Sequence, residues 1–379
     1  MKWSFMHKQE VMIFVRIVVF LALLTACGCG VTQCTDKHYS GWRAVPGNPG
    51  GSRSTLSVAS LQLDTSRNVL FGIAFTPPSP ILPLNSGVWR CMRPNTSSVW
   101  RNIKTTGMPP VTCPIVIDQE RGILYSIASD NSGNVGIWRC SNSAGLYSWA
   151  DMEFKNDGIS SLAYDSIRNI LYVGTDPSGV WRCVSPESMS SWKHINFELD
   201  FYRVGLGIVL CDSDHDTLYA GTCSGGVWRC SDPTGTPHWE KIGGNLPPAQ
   251  QVSSLAYDRA HDILYAGRIN GGLWRCINPR YSPSWSQTGG VIKSWTITSI
   301  VCDSNGNQIY VAVLDEKMKE KGVWRSPTQG KFAWQRMNGS IGTRRIYSLI
   351  IDANRKILYA GAEGGVWSHE LFRTIGKNP

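Results

Sequence analysis

Ser160-Ser161-Leu162-Ala163-Tyr164-Asp165 is followed by Ile170-Leu171-Tyr172-Val173-Gly174, then Gly179-Val180-Trp181-Arg182-Cys183, then Ser191-Trp192-Lys193-His194-Ile195. Each segment is short, rich in β-branched and aromatic residues, and bounded by Gly, Asp, Ser or Pro. That is the pattern of a β-strand between turns, and four in succession predict an antiparallel meander. The unit recurs along the chain. The aspartate that ends the first segment stands at Asp64, Asp118, Asp165, Asp212, Asp258, Asp303 and Asp352, at intervals of 45–54 residues. The third-segment tryptophan stands at Trp89, Trp138, Trp181, Trp228, Trp274, Trp324 and Trp367. A fourth-segment tryptophan follows 11 residues later at Trp100, Trp149, Trp192, Trp239 and Trp285, and 10 later at Trp334.

A single four-stranded sheet cannot cover both of its faces, so neighbouring units must stack. Seven in series predict an all-β fold, a seven-bladed β-propeller of four-stranded antiparallel blades, over residues 41–379. An open superhelical stack is the alternative. The seventh unit has Asp352, Leu358-Tyr359-Ala360-Gly361 and Gly365-Val366-Trp367 but no fourth tryptophan. Gly41-Trp42-Arg43-Ala44-Val45, ahead of the first unit, has the missing segment's spacing: Trp-x-x-hydrophobic, as at Trp192 to Ile195 and Trp239 to Ile242. An N-terminal strand that completes the last blade would close the ring with no open edge. Phe372-Arg373-Thr374-Ile375 competes for that place.

With 379 residues, 42% hydrophobic, 17% charged and 38 glycines, the chain is neither disordered nor collagen-like. Lys2, Lys8 and Arg16 precede or flank an apolar run, Ile17 to Ala26, too short to span a bilayer as a helix. Residues 1–26 therefore read as a signal peptide. Leu24-Thr25-Ala26-Cys27 resembles the bacterial lipobox, which implies cleavage before Cys27 and acylation of its thiol. Residues 27–40 would be a tether, and the mature protein would be exported and held on the extracytoplasmic side of a membrane by lipid. Loss of Lys2, Lys8, Arg16 and Glu10 with the leader lowers the formal charge from +9 to +7. No Lys/Arg block of the nucleic-acid-binding kind occurs, so nucleic acid is not an expected partner. A monomer is expected.

The repeated residues are expected to be scaffold. Tryptophan and tyrosine pack between blades, glycine pairs turn the chain before each third strand, and the aspartates cap the turn between strands one and two. Arg90, Arg139, Arg182, Arg229, Arg275 and Arg325 follow their tryptophans one per blade and are expected to tie blades together. Cys91, Cys140, Cys183, Cys230 and Cys276 share one repeat position and are expected to be buried free thiols. No paired Cys-x-x-Cys, clustered His, P-loop, GxSxG or HExxH is present, so neither a metal nor a cofactor is expected.

Leu255-Ala256-Tyr257-Asp258, Leu218-Tyr219-Ala220-Gly221-Thr222, Gly225-Gly226-Val227-Trp228-Arg229 and Ser231-Asp232-Pro233-Thr234-Gly235-Thr236-Pro237-His238-Trp239 resemble the repeat of the BNR/Asp-box propellers. The likeness covers residues 41–375, with one residue inserted in the Asp-box. That group holds sialidases, xyloglucan-cleaving enzymes, sortilin-like receptors and photosystem assembly factors, and fold alone does not choose among them. The resemblance implies that ligands meet the face where the inner strands begin. The irregular residues of this sequence fall in the loops of that face: Asp176, Tyr202, Arg203, Arg268, Trp295, Arg345 and Glu363. The leading expectation is a surface-anchored, non-enzymatic propeller that binds a protein or glycan through them. An exported glycoside hydrolase would need two carboxylates ~5–9 Å apart, with Asp176 paired to Glu363 or Asp157. A membrane-complex assembly factor is the third reading.

Overall fold

Apolar alternation in Ile159–Asp165, Ile170–Thr175, Gly179–Val184 and Trp192–His194 produces four antiparallel strands, hydrogen-bonded in sequence order. The computed structural model that carries them describes residues 41–371, apart from 48–55, 76–86, 95–98, 104–110, 130–134, 144–145, 157, 189–190, 196–204, 225, 248–249, 315–320 and 338. Residues 1–40, with the signal peptide, Cys27 and the tether, and Phe372 to Ile375 lie outside the described residues.

Six such sheets, spanning 57–102, 111–155, 159–194, 206–241, 252–287 and 296–336, are blades 1 to 6. Blade 7 takes three strands, Ile346–Asp352, Ile357–Ala362 and Gly365–Glu370, from the C-terminal end, and Trp42–Ala44 from the N-terminal end. Trp42 pairs with His369 and Ala44 with Trp367, so the first described strand does complete the last sheet. Adjacent first strands pack in the order of the blades, and blade 7 returns to blade 1. The molecule is a closed ring of seven blades, not an open stack.

Second strands lie deepest. Ile170–Thr175, Thr217–Thr222, Ile263–Arg268 and Ile357–Ala362 are buried at every position, because sheets cover them on both sides. Tyr125, Tyr172, Tyr219, Tyr265, Tyr310 and Tyr359 are at most 1% exposed. Trp42, Trp100, Trp285 and Trp367 are buried, and the other repeat tryptophans are half-buried. Fourth-strand indoles reach the blade before: Nε1 of Trp192, Trp239 and Trp285 donates to the carbonyls of Met152 (3.0 Å), Ile195 (2.8 Å) and Ile242 (2.6 Å). Each such ring buries ~200 Å², several kcal/mol as an upper bound. Glycines before the third strands turn with positive φ, as at Gly179 (89°) and Gly226 (88°).

The five thiols of the third-strand position are free and buried. Burial pushes those of Cys140, Cys230 and Cys276 up to about 12.

Five of the six third-strand arginines tie their blade to the next, Arg275 by stacking on Phe332 at 5.1 Å, while Arg325 meets Gln335 of its own blade. Arg90 donates to Tyr147 Oη at 2.8 Å, Arg139 to the carbonyl of Glu187, Arg182 to that of Pro233, and Arg229 to that of Pro279 at 2.8 Å.

Candidate functional site

The ring has two unlike faces. One, the turn face, carries the turns between first and second strands. There Asp64, Asp118, Asp165, Asp303 and Asp352 cap as expected, Asp165 Oδ1 accepting from the N–H groups of Ile167 (2.9 Å) and Arg168 (3.1 Å), while Asp212 makes no such bond. A cation three residues on does more. Arg168 Nη1 bonds Asp165 Oδ2 (3.2 Å) and the Ser213 carbonyl of blade 4 (2.5 Å). Arg67 joins Asp64 to the Gln119 carbonyl of blade 2, and Arg355 joins Asp352 to the Thr65 carbonyl of blade 1. Arg121, His215 and His261 meet their aspartates at 3.1, 2.8 and 2.7 Å. The residue after each of these positions is left-handed in all seven blades: Asn68, Gly122, Asn169, Asp216, Asp262, Asn307 and Lys356. The polar groups of this face are therefore largely engaged in holding the scaffold.

The other, the mouth face, carries the loops between second and third strands and between blades. Asp176, Arg268, Trp295, Arg345 and Glu363 all stand on it. Tyr202, Arg203 and Asp157 lie outside the described residues. The named residues do not form one cluster. Asp176 is on blade 3 and its Oδ1 faces Gly205 of blade 4, where a Cβ would lie 3.3 Å from it and from Cys223 Sγ. Glu363 is on blade 7, with blades 1 and 2 between, so these two carboxylates do not stand on neighbouring blades. Arg268 is 1% exposed, and its Nη2 donates to the Pro247 (2.5 Å) and Gln250 (3.3 Å) carbonyls, which pins the loop between blades 4 and 5. Trp295 is half-buried, edge-on to Trp324 with ring centres 5.4 Å apart.

Arg345 and Glu363 do come together. The Arg345 N–H donates to Glu363 Oε2 (3.2 Å), and the Glu363 N–H donates to the Arg345 carbonyl (3.0 Å). This reciprocal pair fixes both loops of blade 7 at the rim. Beside it stands Tyr347, which the sequence reading passed over. The Phe75 ring of blade 1 meets it edge-on at 5.3 Å. Burial pushes the Tyr347 hydroxyl up to about 12 and the Glu363 charge adds to the rise, while Ser57 and Arg345 act against it.

Tyr347 lies at a bulge in the first strand, between Ile346 and Ser348. The residues at that bulge in blades 3, 4, 5 and 6 are Ser160, Gly207, Ser253 and Thr298. An aromatic among small residues at one repeat position is the signal that would have found it. Arg345 is itself buried, 5% exposed, so its guanidinium lies behind the rim, and the arrangement offers an aromatic ledge, a hydroxyl and a carboxylate from the half-buried Phe75, Tyr347 and Glu363. Such a set suits recognition by stacking and hydrogen bonding.

No protein-family model matches the chain. No curated protein matches it. Among solved structures it is similar to the extracellular domain of BT4673 from B. thetaiotaomicron, with a TM-score of 0.62 and 15% identity, over 89% of this chain and 41% of that one. It is similar to the GH74 enzyme of Niastella koreensis, TM-score 0.62 and 14% identity, over 86% and 53%. It is also similar to Chaetomium thermophilum Sqt1 bound to the N-terminus of ribosomal protein L10, TM-score 0.60 and 11% identity, over 87% and 99%. The chain spans about two fifths of the first of these proteins and about half of the second. The chain is a seven-bladed β-propeller, and its structural neighbours include a bacterial extracellular domain and a glycoside hydrolase.

Proposed function

We propose that this propeller is an exported, lipid-anchored binding protein that takes a protein segment or a glycan at the blade 7 to blade 1 rim of its mouth face. The supporting observation is the asymmetry of the faces. Charged groups on the turn face are largely engaged in capping and in joining blades. On the mouth face, Arg345, Glu363, Tyr347 and Phe75 gather where the repeat is broken. Tyrosine is among the residues from which interface anchors are most often built. The anchor reading comes from Leu24-Thr25-Ala26-Cys27.

The test is a glycan array and a peptide array probed with the chain from Gly28 onward. Binding that disappears with Tyr347→Ala, in a variant that melts like the parent, supports the reading. Retention of every signal by that variant overturns the site. Release of reducing ends from a polysaccharide panel, abolished by Asp176→Asn or Glu363→Gln, would assign hydrolysis instead.

A further inference from the structure

Two ties recur across the outer half of the blade joints. In the first, a third-strand arginine reaches the next blade. Arg139, Arg182 and Arg229 donate to the carbonyls of Pro186 (3.3 Å), Pro233 and Pro279 (2.8 Å), Arg90 donates to Tyr147, and Arg275 stacks on Phe332. In the second, the fourth-strand indole of Trp192, Trp239 or Trp285 donates to a carbonyl of the blade before. Trp149 and Trp334 make no such bond, but their joints keep the arginine. Each joint from blades 1 and 2 to blades 5 and 6 thus has one tie or both.

The joint of blades 7 and 1 has neither. Ser368 stands where blades 1 to 6 carry arginine, and its hydroxyl donates to the Arg43 carbonyl of its own blade (3.4 Å). Trp100 Nε1, on the blade 1 side, is buried without a partner. The acceptor for an arginine is nevertheless in place. Arg93-Pro94 has the turn of Ser185-Pro186, Asp232-Pro233 and Asn278-Pro279, a left-handed residue (φ 51–53°) ahead of the proline.

The closing strand straddles this joint. By covalent connection Trp42–Ala44 leads into blade 1, whose first strand begins at Ser57, while by hydrogen bonding it belongs to blade 7. In blades 1 to 6 a loop joins the fourth strand to the third strand it pairs with, so a detached fourth strand stays close to its seat. Trp42–Ala44 has no such connection to Gly365–Glu370. The mouth rim straddles the joint too. Tyr347 and Glu363 are on blade 7, and Phe75, paired with Ser57, is on blade 1. The Val45 N–H donates to the Val366 carbonyl (2.9 Å), three residues beyond Glu363, so the strand docks beside the rim.

We infer that the ring opens at the joint of blades 7 and 1, that Trp42–Ala44 is its latch, and that the rim is complete only while the latch is seated. Opening carries Phe75 away from Tyr347 and divides the ledge. A ligand that touches both rings binds the closed ring better and so holds the latch shut. By linkage, whatever unseats the N-terminal strand weakens that ligand. The consequence for binding rests on the rim reading proposed above, and the opening does not.

Amide hydrogen exchange, followed by nuclear magnetic resonance in the chain from Gly28 onward without ligand, tests this. The Leu61 N–H donates to Ser348 Oγ across this joint, and the Val209 N–H makes the same bond to Ser161 Oγ between blades 3 and 4, both at 3.1 Å. After correction for intrinsic rates, Leu61 should exchange about tenfold or more faster than Val209, the effect of one missing hydrogen bond from a charged donor. Ser368→Arg, which restores a donor facing Pro94, should bring Leu61 to within about threefold of Val209 and leave Val209 unchanged. Trp42→Ala should speed Leu61 further, and an unmoved Leu61 in that variant overturns the latch. Exchange at Leu61 no faster than at Val209 overturns the opening and leaves the rim reading intact. Parent-like ligand binding by Tyr347→Ala contradicts the rim and leaves the opening standing.

Discussion

The backbone N–H of Leu61 donates to Ser348 Oγ at 3.1 Å, which joins the first strand of blade 1 to that of blade 7 across 287 positions of sequence. The same bond links Ile115 to Ser60 (2.8 Å), Val209 to Ser161 (3.1 Å) and Leu349 to Ser299 (3.0 Å). In each case a serine of one blade accepts from the next. The closing bond is one more copy of the joint used elsewhere in the ring, so closure introduces no special geometry there.

That joint leaves no room for a side chain at Gly361. A Cβ would lie 2.6 Å from the Val58 carbonyl oxygen and 2.9 Å from Ser348 Oγ. Gly361→Ala should force blades 7 and 1 apart and cost ~1–3 kcal/mol, as overpacking does. The denaturant midpoint reports it, and an unchanged midpoint would mean that the blades do not meet as described.

Trp42 is 1% exposed and packs with Ile341, Ile346 and Leu371 in the core of blade 7. Trp42→Ala should cost ~3–5 kcal/mol, the range for a large aromatic removed from a core. Calorimetry of the variant against the parent tests this. A melting temperature within a degree of the parent would show that the N-terminal strand does not hold the ring shut.

The same seam should respond to pH. His369 stacks edge-on against Trp42 with ring centres 5.3 Å apart. Burial holds its imidazole below the usual 6.5, and the Arg325 charge acts the same way, while Glu370 opposes them. A histidine whose folded value is depressed stabilises the fold fully above its unfolded value and loses that contribution as pH falls through the folded one. The urea midpoint should therefore drop between pH 7 and pH 5, and His369→Gln should flatten the drop. An identical pH profile in the variant would assign the effect elsewhere.

Five thiols share one sheltered position. Burial raises Cys183 to about 11 and Cys140, Cys230 and Cys276 to about 12, far above the value at which a thiolate forms readily. In the native protein at pH 8 these four should stay unlabelled by a thiol reagent, and all should label after unfolding. Site mapping by mass spectrometry decides it, and labelling of any of the four within minutes in the native state would contradict their burial.

What the sequence made legible follows from identity repeated at one spacing. Asp165 and its six counterparts, the paired tryptophans, and the match of Trp42 to Trp192 and Trp239 announced the blades, their number and their closure. Roles that different residues can fill stayed hidden. The partner three residues after the aspartate is Arg168 in one blade and His215 in another, since either can reach the carboxylate. The left-handed residue after it is Asn169, Asp262, Gly122 or Lys356. Arg268 had the composition of an exposed anchor, but the strand buries it and two carbonyls take up its Nη2. Tyr347 escaped notice because a bulge shifts the first strand's register by a residue, which strict alternation does not foresee.

The most direct test of the account is the affinity of an array-selected glycan or peptide for three proteins: the parent, Tyr347→Ala and Arg355→Met. The first variant alters the mouth rim and the second alters the turn face. A hot-spot residue is worth ~2 kcal/mol or more, so Tyr347→Ala should bind at least about thirtyfold more weakly while Arg355→Met binds like the parent. Parent-like affinity in Tyr347→Ala, with loss in Arg355→Met, would place recognition on the opposite face and contradict the account.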